Sequence, residues 1–116
     1  MSDPDILVKT IMTNYETYIE VNNQPCHIMV YPLYKNSIVI SIHINTKRVY
    51  LTFGKYFKTY IFDTRIITDN PDIEDEARPS VELINEILKV LIENKFIQHI
   101  NQTKYKLTKL LILKIL

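Results

Sequence analysis

A strict alternation of residue types between positions 38 and 44 constrains the fold of this chain more than any other feature. Isoleucine occupies every second position, at Ile38, Ile40, Ile42 and Ile44, and the residues between them are valine, serine and histidine. Because successive side chains of a β-strand point to opposite faces of a sheet, this period of two predicts a strand. Its isoleucine face is expected to lie in the core.

The neighbouring segments predict further strands. β-branched and aromatic residues are frequent from Cys26 to Tyr34, where Pro32 favours an edge strand or a break because proline has no N–H. Residues 45–46 predict a turn. The only glycine, Gly54, predicts a second turn, followed by a last strand over Lys55–Ile67. Together these segments predict an antiparallel meander of three to four strands.

Helical patterns flank this meander. A capping Ser2 or Asp3 before Pro4 begins an N-terminal helix of about three to four turns, with apolar residues at helical spacing. Ser80 is expected to cap a long apolar helix that packs on the sheet. A short hairpin should follow, and residues 108–116 form an apolar segment that is either helix or strand. The apolar residues of the first helix are Leu7, Ile11, Tyr15 and Tyr18.

The length and composition favour one domain. A chain of 116 residues, 47% of them hydrophobic, can bury a single core. We divide it into residues 1–67 (helix and meander), 68–79 (an acidic loop) and 80–116 (helix, hairpin and apolar tail). The predicted fold class is α+β.

Several kinds of chemistry are absent from the sequence. With one glycine, the chain lacks the glycine-rich phosphate loop, the dinucleotide fingerprint and the nucleophile elbow. His27, His43 and His99 are far apart and have no metal-ligand spacing. We therefore expect no enzyme, no metal and no cofactor.

The single cysteine and the apolar runs indicate where in the cell the protein is located. Cys26 cannot form an internal disulfide and indicates a reducing compartment. The first twenty residues do not resemble a secretory signal, and the longest apolar run, LLILKIL, is shorter than the roughly 20 residues of a membrane-spanning helix. We expect an intracellular, cytoplasmic protein that does not bind a membrane.

A basic, tyrosine-rich face is the first candidate binding surface. If a three-residue turn is centred on Gly54, rings and cations alternate on one face of the resulting hairpin. Rings that stack on bases and cations that follow phosphates are typical of single-strand binding. Strand propensity and edge protection alone also place such residues on an exposed face. The residues of this face are Arg48, Tyr50, Tyr56, Lys58 and Tyr60.

An acidic segment is the second candidate. No acidic residue lies between Val21 and Phe62, whereas acids are concentrated after Asp63, so the charge is segregated although the net charge is only +1. The segment could mimic a polyanion toward a basic partner, or consist of solvated loop residues. Its acids are Asp69, Asp72, Glu74, Asp75 and Glu76.

The run from residue 78 to residue 110 resembles the second half of a winged-helix domain. In that family a capped helix that begins with PS and carries leucines at helical spacing precedes a strand, a wing and a strand ending in YKLT or YRLT. The resemblance implies a helix in the DNA major groove and a wing on the backbone. The matching positions are Pro79, Ser80, Leu83, Ile87, Leu91, Phe96, Ile97 and Lys104–Thr108.

The chain also departs from that family. A meander and an acidic loop stand where the family has two further helices, and Glu82, Glu86 and Glu93 would repel phosphates. A winged helix here is expected to contact protein rather than DNA. The alternative is a helix and a hairpin that complete the core of one α+β domain.

These observations predict a small non-enzymatic protein that binds or inhibits another protein. Its richness in isoleucine, lysine, asparagine and tyrosine is typical of AT-rich coding sequences, which suggests a virus or mobile element acting on a host protein. The alternative is a nucleic-acid-binding protein that uses the tyrosine-rich face. The apolar C-terminal segment suggests a homodimer.

Overall fold

The computed structural model describes residues 13–34, 36–68 and 79–116. Strands make up 51% of the structure and helices 25%, so the protein is mostly β. The described strands form one curled antiparallel sheet in the spatial order β1-β2-β3-β4-β5-β7-β6. They are β1 (Tyr15–Val21), β2 (Gln24–Leu33), β3 (Ser37–Ile44), β4 (Lys47–Tyr56), β5 (Thr59–Asp63), β6 (Ile97–His99) and β7 (Lys104–Leu107).

Three helices lie in the described part of the chain: α1 (Arg65–Thr68), α2 (Val81–Glu93) and α3 (Lys109–Ile115). Ser80 caps α2, because its hydroxyl accepts a hydrogen bond from the Leu83 N–H at 3.1 Å. Helix α2 packs against β1 and β6, which are the two outermost strands of the sheet.

The inner face of the sheet forms the core. The strand register places Ile42 between Ile28 and Val49, and Ile40 between Val30 and Leu51. All of these side chains are buried. The prediction that the isoleucine face of β3 lies in the core is therefore confirmed. Apolar residues of the three helices complete the core, namely Ile67 of α1, Ile84, Ile87, Leu88 and Leu91 of α2, and Leu111 and Ile115 of α3.

The α+β fold class is wrong. Residues 15–18, expected in the N-terminal helix, lie in β1, residues 13–14 are not helical, and residues 1–12 lie outside the described residues. Tyr15 and Tyr18 fit helical spacing, but the chain from Tyr15 to Val21 also alternates inward and outward residues, and the strand pattern prevails. The capped helix α2 exists, but it lies against edge strands instead of forming a long helix layered on the sheet.

The predicted turn at Gly54 is also wrong. Gly54 lies inside β4, and the turn is formed by Phe57 and Lys58. Phe57 adopts a φ of 56°, a conformation that is rare for a bulky residue and carries no signature in the sequence. Strand β5 is consequently short and ends at Asp63.

Helix α1 replaces the second half of the strand that was expected to reach Ile67. The Asp63 carboxylate accepts a hydrogen bond from the Arg65 N–H at 3.0 Å and pairs with the Arg65 guanidinium at 2.7 Å. These hydrogen bonds hold the pKa of Asp63 well below its usual range. The side chain thus fixes the bend from β5 into α1.

The C-terminal segment combines a confirmed hairpin with a helix. Strands β6 and β7 pair as expected, but β7 also pairs with β5 and so joins the main sheet. Residues 108–116, which were predicted to be either helix or strand, contain helix α3. The Thr108 hydroxyl caps it by accepting from the Leu111 N–H at 3.2 Å. At its far end the Ile115 carbonyl accepts a hydrogen bond from the Thr13 N–H at 2.6 Å.

The packing of α3 can be tested with two identical substitutions on one helix. Leu111 is fully buried and Leu113 is 67% exposed. Leu111→Ala should lower the free energy of unfolding by about 2–5 kcal/mol because it leaves a cavity in the core. Leu113→Ala should change it by less than about 0.5 kcal/mol. Urea denaturation measures both values, and equal effects would contradict this packing.

The position of the β4–β5 turn can be tested in the same assay. A Cβ added at Gly54 would meet no atom within 4 Å, so Gly54→Ala should leave the free energy of unfolding unchanged or raise it by about 0.5 kcal/mol. Phe57→Asn should raise it by about 0.5 kcal/mol, because asparagine tolerates a positive φ better. A loss of more than about 1 kcal/mol in Gly54→Ala would indicate that the turn needs glycine after all.

Candidate functional site

The tyrosine-rich face is only partly assembled as expected. Tyr56 pairs with Thr59, and Lys55 pairs with Tyr60. Since directly paired residues point to the same face, Tyr60 lies on the inner face, where it packs against the core. Lys58 lies in the turn. Arg48, Tyr50 and Tyr56 stay together on the outer face of β4.

The physical reason for this correction is the register of β5. The turn lies later in the chain than expected, and β5 is displaced by an odd number of residues relative to β4. Such a displacement moves every side chain of a strand to the opposite face. Phe57, which lies in the turn, is 82% exposed.

Two further strands bring other side chains beside Arg48 and Tyr50. His27 of β2 is directly opposite His43 of β3, and His43 is directly opposite Arg48 of β4. The next outward row joins Met29, Ser41 and Tyr50. Together with Tyr31 these residues line a shallow cavity of about 250 Å³, which we call the outer-face pocket: His27, Met29, Tyr31, Ser41, His43, Arg48 and Tyr50.

Edge strand β1 supplies one wall beside this pocket. The ring of Tyr18 lies 5.0 Å from the His27 ring, centroid to centroid, at 31°. Glu16 Oε1 lies 3.1 Å from His27 Nε2. Tyr18 is 70% exposed and Tyr50 is 48% exposed. The rings therefore offer stacking surfaces to a ligand while their backbones are held by the sheet.

The polar groups of the outer-face pocket are suited to binding an anion. Arg48 carries a permanent positive charge, and the hydroxyls of Ser41, Tyr31 and Tyr50 can donate hydrogen bonds. None of the described residues that line the pocket is acidic. On the adjacent strand β1, the Glu16 carboxylate contacts His27.

Sequence reasoning missed His27, His43 and Tyr18. The spacing of Ser41 and His43 on one strand did indicate that they share a face. The pairing of His27 with His43 depends on how β2 meets β3 across the turn near residue 35, which alternation within a single strand does not reveal.

A second, larger cavity lies at one end of the sheet. Its volume is about 340 Å³, and it is formed by residues at two hairpin turns and one residue of α2. Lys47 is the charged residue among its described lining residues, and no aromatic ring is among them, in contrast to the outer-face pocket. The lining residues are Asn22, Gln24, Ile44, Asn45, Thr46, Lys47 and Leu83.

The acids of the second candidate surface lie outside the described residues: Asp69, Asp72, Glu74, Asp75 and Glu76. Within the described ranges, no group of three or more histidine, cysteine or acidic side chains could hold a metal ion. No helix in those ranges is both long and apolar enough to cross a membrane.

No family model, curated protein or solved structure matches this chain. The winged-helix resemblance of residues 78–110 stays a prediction. That run contains α2, β6, β7 and the start of α3, and its two strands belong to the same sheet as the meander.

Proposed function

We propose that this protein is a non-enzymatic interaction protein that binds a protein partner through the outer face of β1–β4. One observation carries the proposal: exposed rings, a methionine and an arginine surround a single shallow pocket on that face. Tyrosine, methionine and arginine are the residue types enriched at the centres of protein interfaces.

The placement of these side chains on strands supports the proposal. Strands β2, β3 and β4 are each paired on both sides, so the backbones beneath the outer-face pocket are held by hydrogen bonds. Residues on such a scaffold lose little conformational freedom when a partner binds, which lowers the entropic cost of association.

Three further parts of the proposal come from the sequence. The acidic residues 69–76 would form a second contact with a basic partner, and the role would be inhibition of a host protein by a viral or mobile-element product. A homodimer through the C-terminal segment also stays a proposal. Leu111 and Ile115 are buried within the chain itself, and the apolar residues left exposed on or next to α3 are Leu110, Leu113 and Leu116.

The protein-partner proposal can be tested by affinity capture with variants. We expect the immobilised chain to retain a partner protein. The affinity for this partner should fall by at least about tenfold in the double variant Arg48→Ala/Tyr50→Ala, because truncation of a central interface residue typically costs over 1 kcal/mol of binding free energy. Tyr34→Ala is the matched control, because Tyr34 is 92% exposed and lies in the β2–β3 turn. Partners that bind the double variant as well as the original chain would contradict the proposal.

Single-stranded nucleic acid is the second candidate ligand. The observation that favours it is the outward row His27–His43–Arg48 next to Tyr18 and Tyr50, since imidazole and phenol rings stack on bases and a guanidinium binds phosphate. The net charge of only +1 does not strengthen the binding of nucleic acid.

The nucleic-acid candidate predicts salt-sensitive binding. Fluorescence anisotropy of labelled random single-stranded DNA and RNA should show binding at low salt that weakens at physiological salt and falls by about tenfold or more in Tyr50→Ala, because one lost stacking partner costs about 1–3 kcal/mol. Tyr34→Ala again serves as control. Absence of binding at about 10 μM protein and low salt, where phosphate contacts are strongest, would reject this candidate.

A further inference from the structure

We propose that the outer edge of β1 binds an extended basic segment of another protein, which joins the sheet as an additional antiparallel strand. The basic side chains of this segment face Glu16 and Glu20. The site goes beyond the proposed function, because it uses the backbone of an edge strand instead of the outer-face pocket. It follows from the register of β1 and from the charges that border this strand.

The register leaves one edge of β1 without a neighbouring strand. Residues 22–23 form the turn into β2, and their φ values of 52° and 63° are those of a type I′ turn. In such a hairpin the flanking residues, Val21 and Gln24, exchange hydrogen bonds, and hydrogen-bonded pairs then alternate along both strands. The residues between these pairs direct their N–H and C=O groups away from β2. On β1 they are Glu16, Tyr18 and Glu20.

These outward backbone groups are free to pair with a ligand. Strand β1 is outermost in the sheet, and none of the residues that the structure describes forms a hydrogen bond with them. The side chains beside them are exposed to solvent, and contact with His27 at 3.1 Å holds the Glu16 carboxylate on the outer face. A row of unpaired N–H and C=O groups on a strand of seven residues is a template for strand addition.

The charges around this edge select a basic segment. In an antiparallel pair, directly opposite residues share a face and their Cβ atoms lie about 4.5–5.5 Å apart, so opposite charges at these positions attract. A lysine opposite Tyr18 can also lie over its exposed ring. Helix α2, which packs against β1, extends the negative charge and contributes one cation, Lys89. The acids of the two elements are Glu16, Glu20, Glu82, Glu86 and Glu93.

The same charges oppose a second copy of this chain as the occupant. If two β1 strands paired about a twofold axis at Tyr18, Glu16 of each copy would lie opposite Glu20 of the other. Like charges that are directly opposite destabilise a strand pair, and charged edge strands prevent self-association in this way. A basic segment converts both repulsions into attractions.

The test is fluorescence anisotropy of a labelled ten-residue peptide of alternating lysine and threonine, titrated with the full-length protein at constant low salt. This peptide should bind, and a peptide with glutamate in place of lysine should not. The double variant Glu16→Lys/Glu20→Lys should weaken binding by about tenfold or more, because two attractive cross-strand pairs become repulsive.

A second double variant separates strand pairing from general charge attraction. Glu82→Lys/Glu93→Lys changes the net charge by the same amount, but these residues lie on α2 and do not face an added strand. It should weaken binding by no more than about threefold, since exposed charges at longer range are screened. Far-UV circular dichroism checks that each variant is folded.

Methylated peptides test the backbone pairing without altering the protein. In the proposed pairing the lysine N–H groups donate to β1, whereas the threonine N–H groups point away from it. Methylation of the backbone nitrogens of the lysines should therefore abolish binding, and methylation of those of the threonines should preserve it. The two peptides carry the same charge.

The outcomes that would overturn this inference are distinct. Equal binding of the two methylated peptides, or equal losses in the two double variants, would show charge attraction without strand pairing. A dimer in sedimentation equilibrium that Tyr18→Pro dissociates would show that a second copy occupies the edge, because proline removes an outward N–H there.

Failure of this site and failure of the proposed function are also distinguishable. Loss of peptide binding in Arg48→Ala/Tyr50→Ala would place the peptide in the outer-face pocket and overturn the edge site. If the lysine peptide does not bind but a captured partner still depends on Arg48 and Tyr50, the edge site is wrong and the proposed function stands.

Discussion

The packing of isoleucine on the inner face of β3 is the interaction on which the rest of the structure depends. Ile40 and Ile42 are buried, and each has an apolar neighbour on β2 and on β4. Burial of each such side chain contributes about 1.5–3 kcal/mol. A slip of one residue would expose this whole set, so the apolar face also fixes the register of β2, β3 and β4. The outer-face pocket exists because the same alternation turns His43 and Ser41 outward.

The sequence predicted those parts of the fold that are encoded locally. The alternation within β3, the turn at residues 45–46 and the Ser80 cap each lie in a few consecutive residues, and each is present in the structure. The prediction for the residues of β1 was wrong, because Tyr15 and Tyr18 fit helical spacing whereas burial over Tyr15–Val21 as a whole alternates as in a strand. Tertiary contacts with β2 and α2 decide between the two.

The candidate site was predictable only in part, because it depends on the pairing of strands rather than on any one strand. Arg48 and Tyr50 share a face in every register of β4, so they were found. Tyr60 was misplaced because the turn at Phe57 has an unusual residue at a positive φ. His27 and His43 become neighbours only when the β2–β3 register is known. Non-local pairing of this kind leaves no trace in the composition of either strand.

The contacts at the edges of the sheet have a consequence for how the molecule opens. Helix α2 touches both outermost strands, and the Thr13 N–H is bonded to the Ile115 carbonyl. Strands β1 and β6, at opposite edges of the sheet, are thereby linked through α2, and the residue stretch that leads into β1 is linked to α3. Loss of α3 would release the start of β1 as well as the core around Leu111. The two edges should therefore exchange their amide hydrogens as one cooperative unit, whereas an open sheet would fray independently at each side.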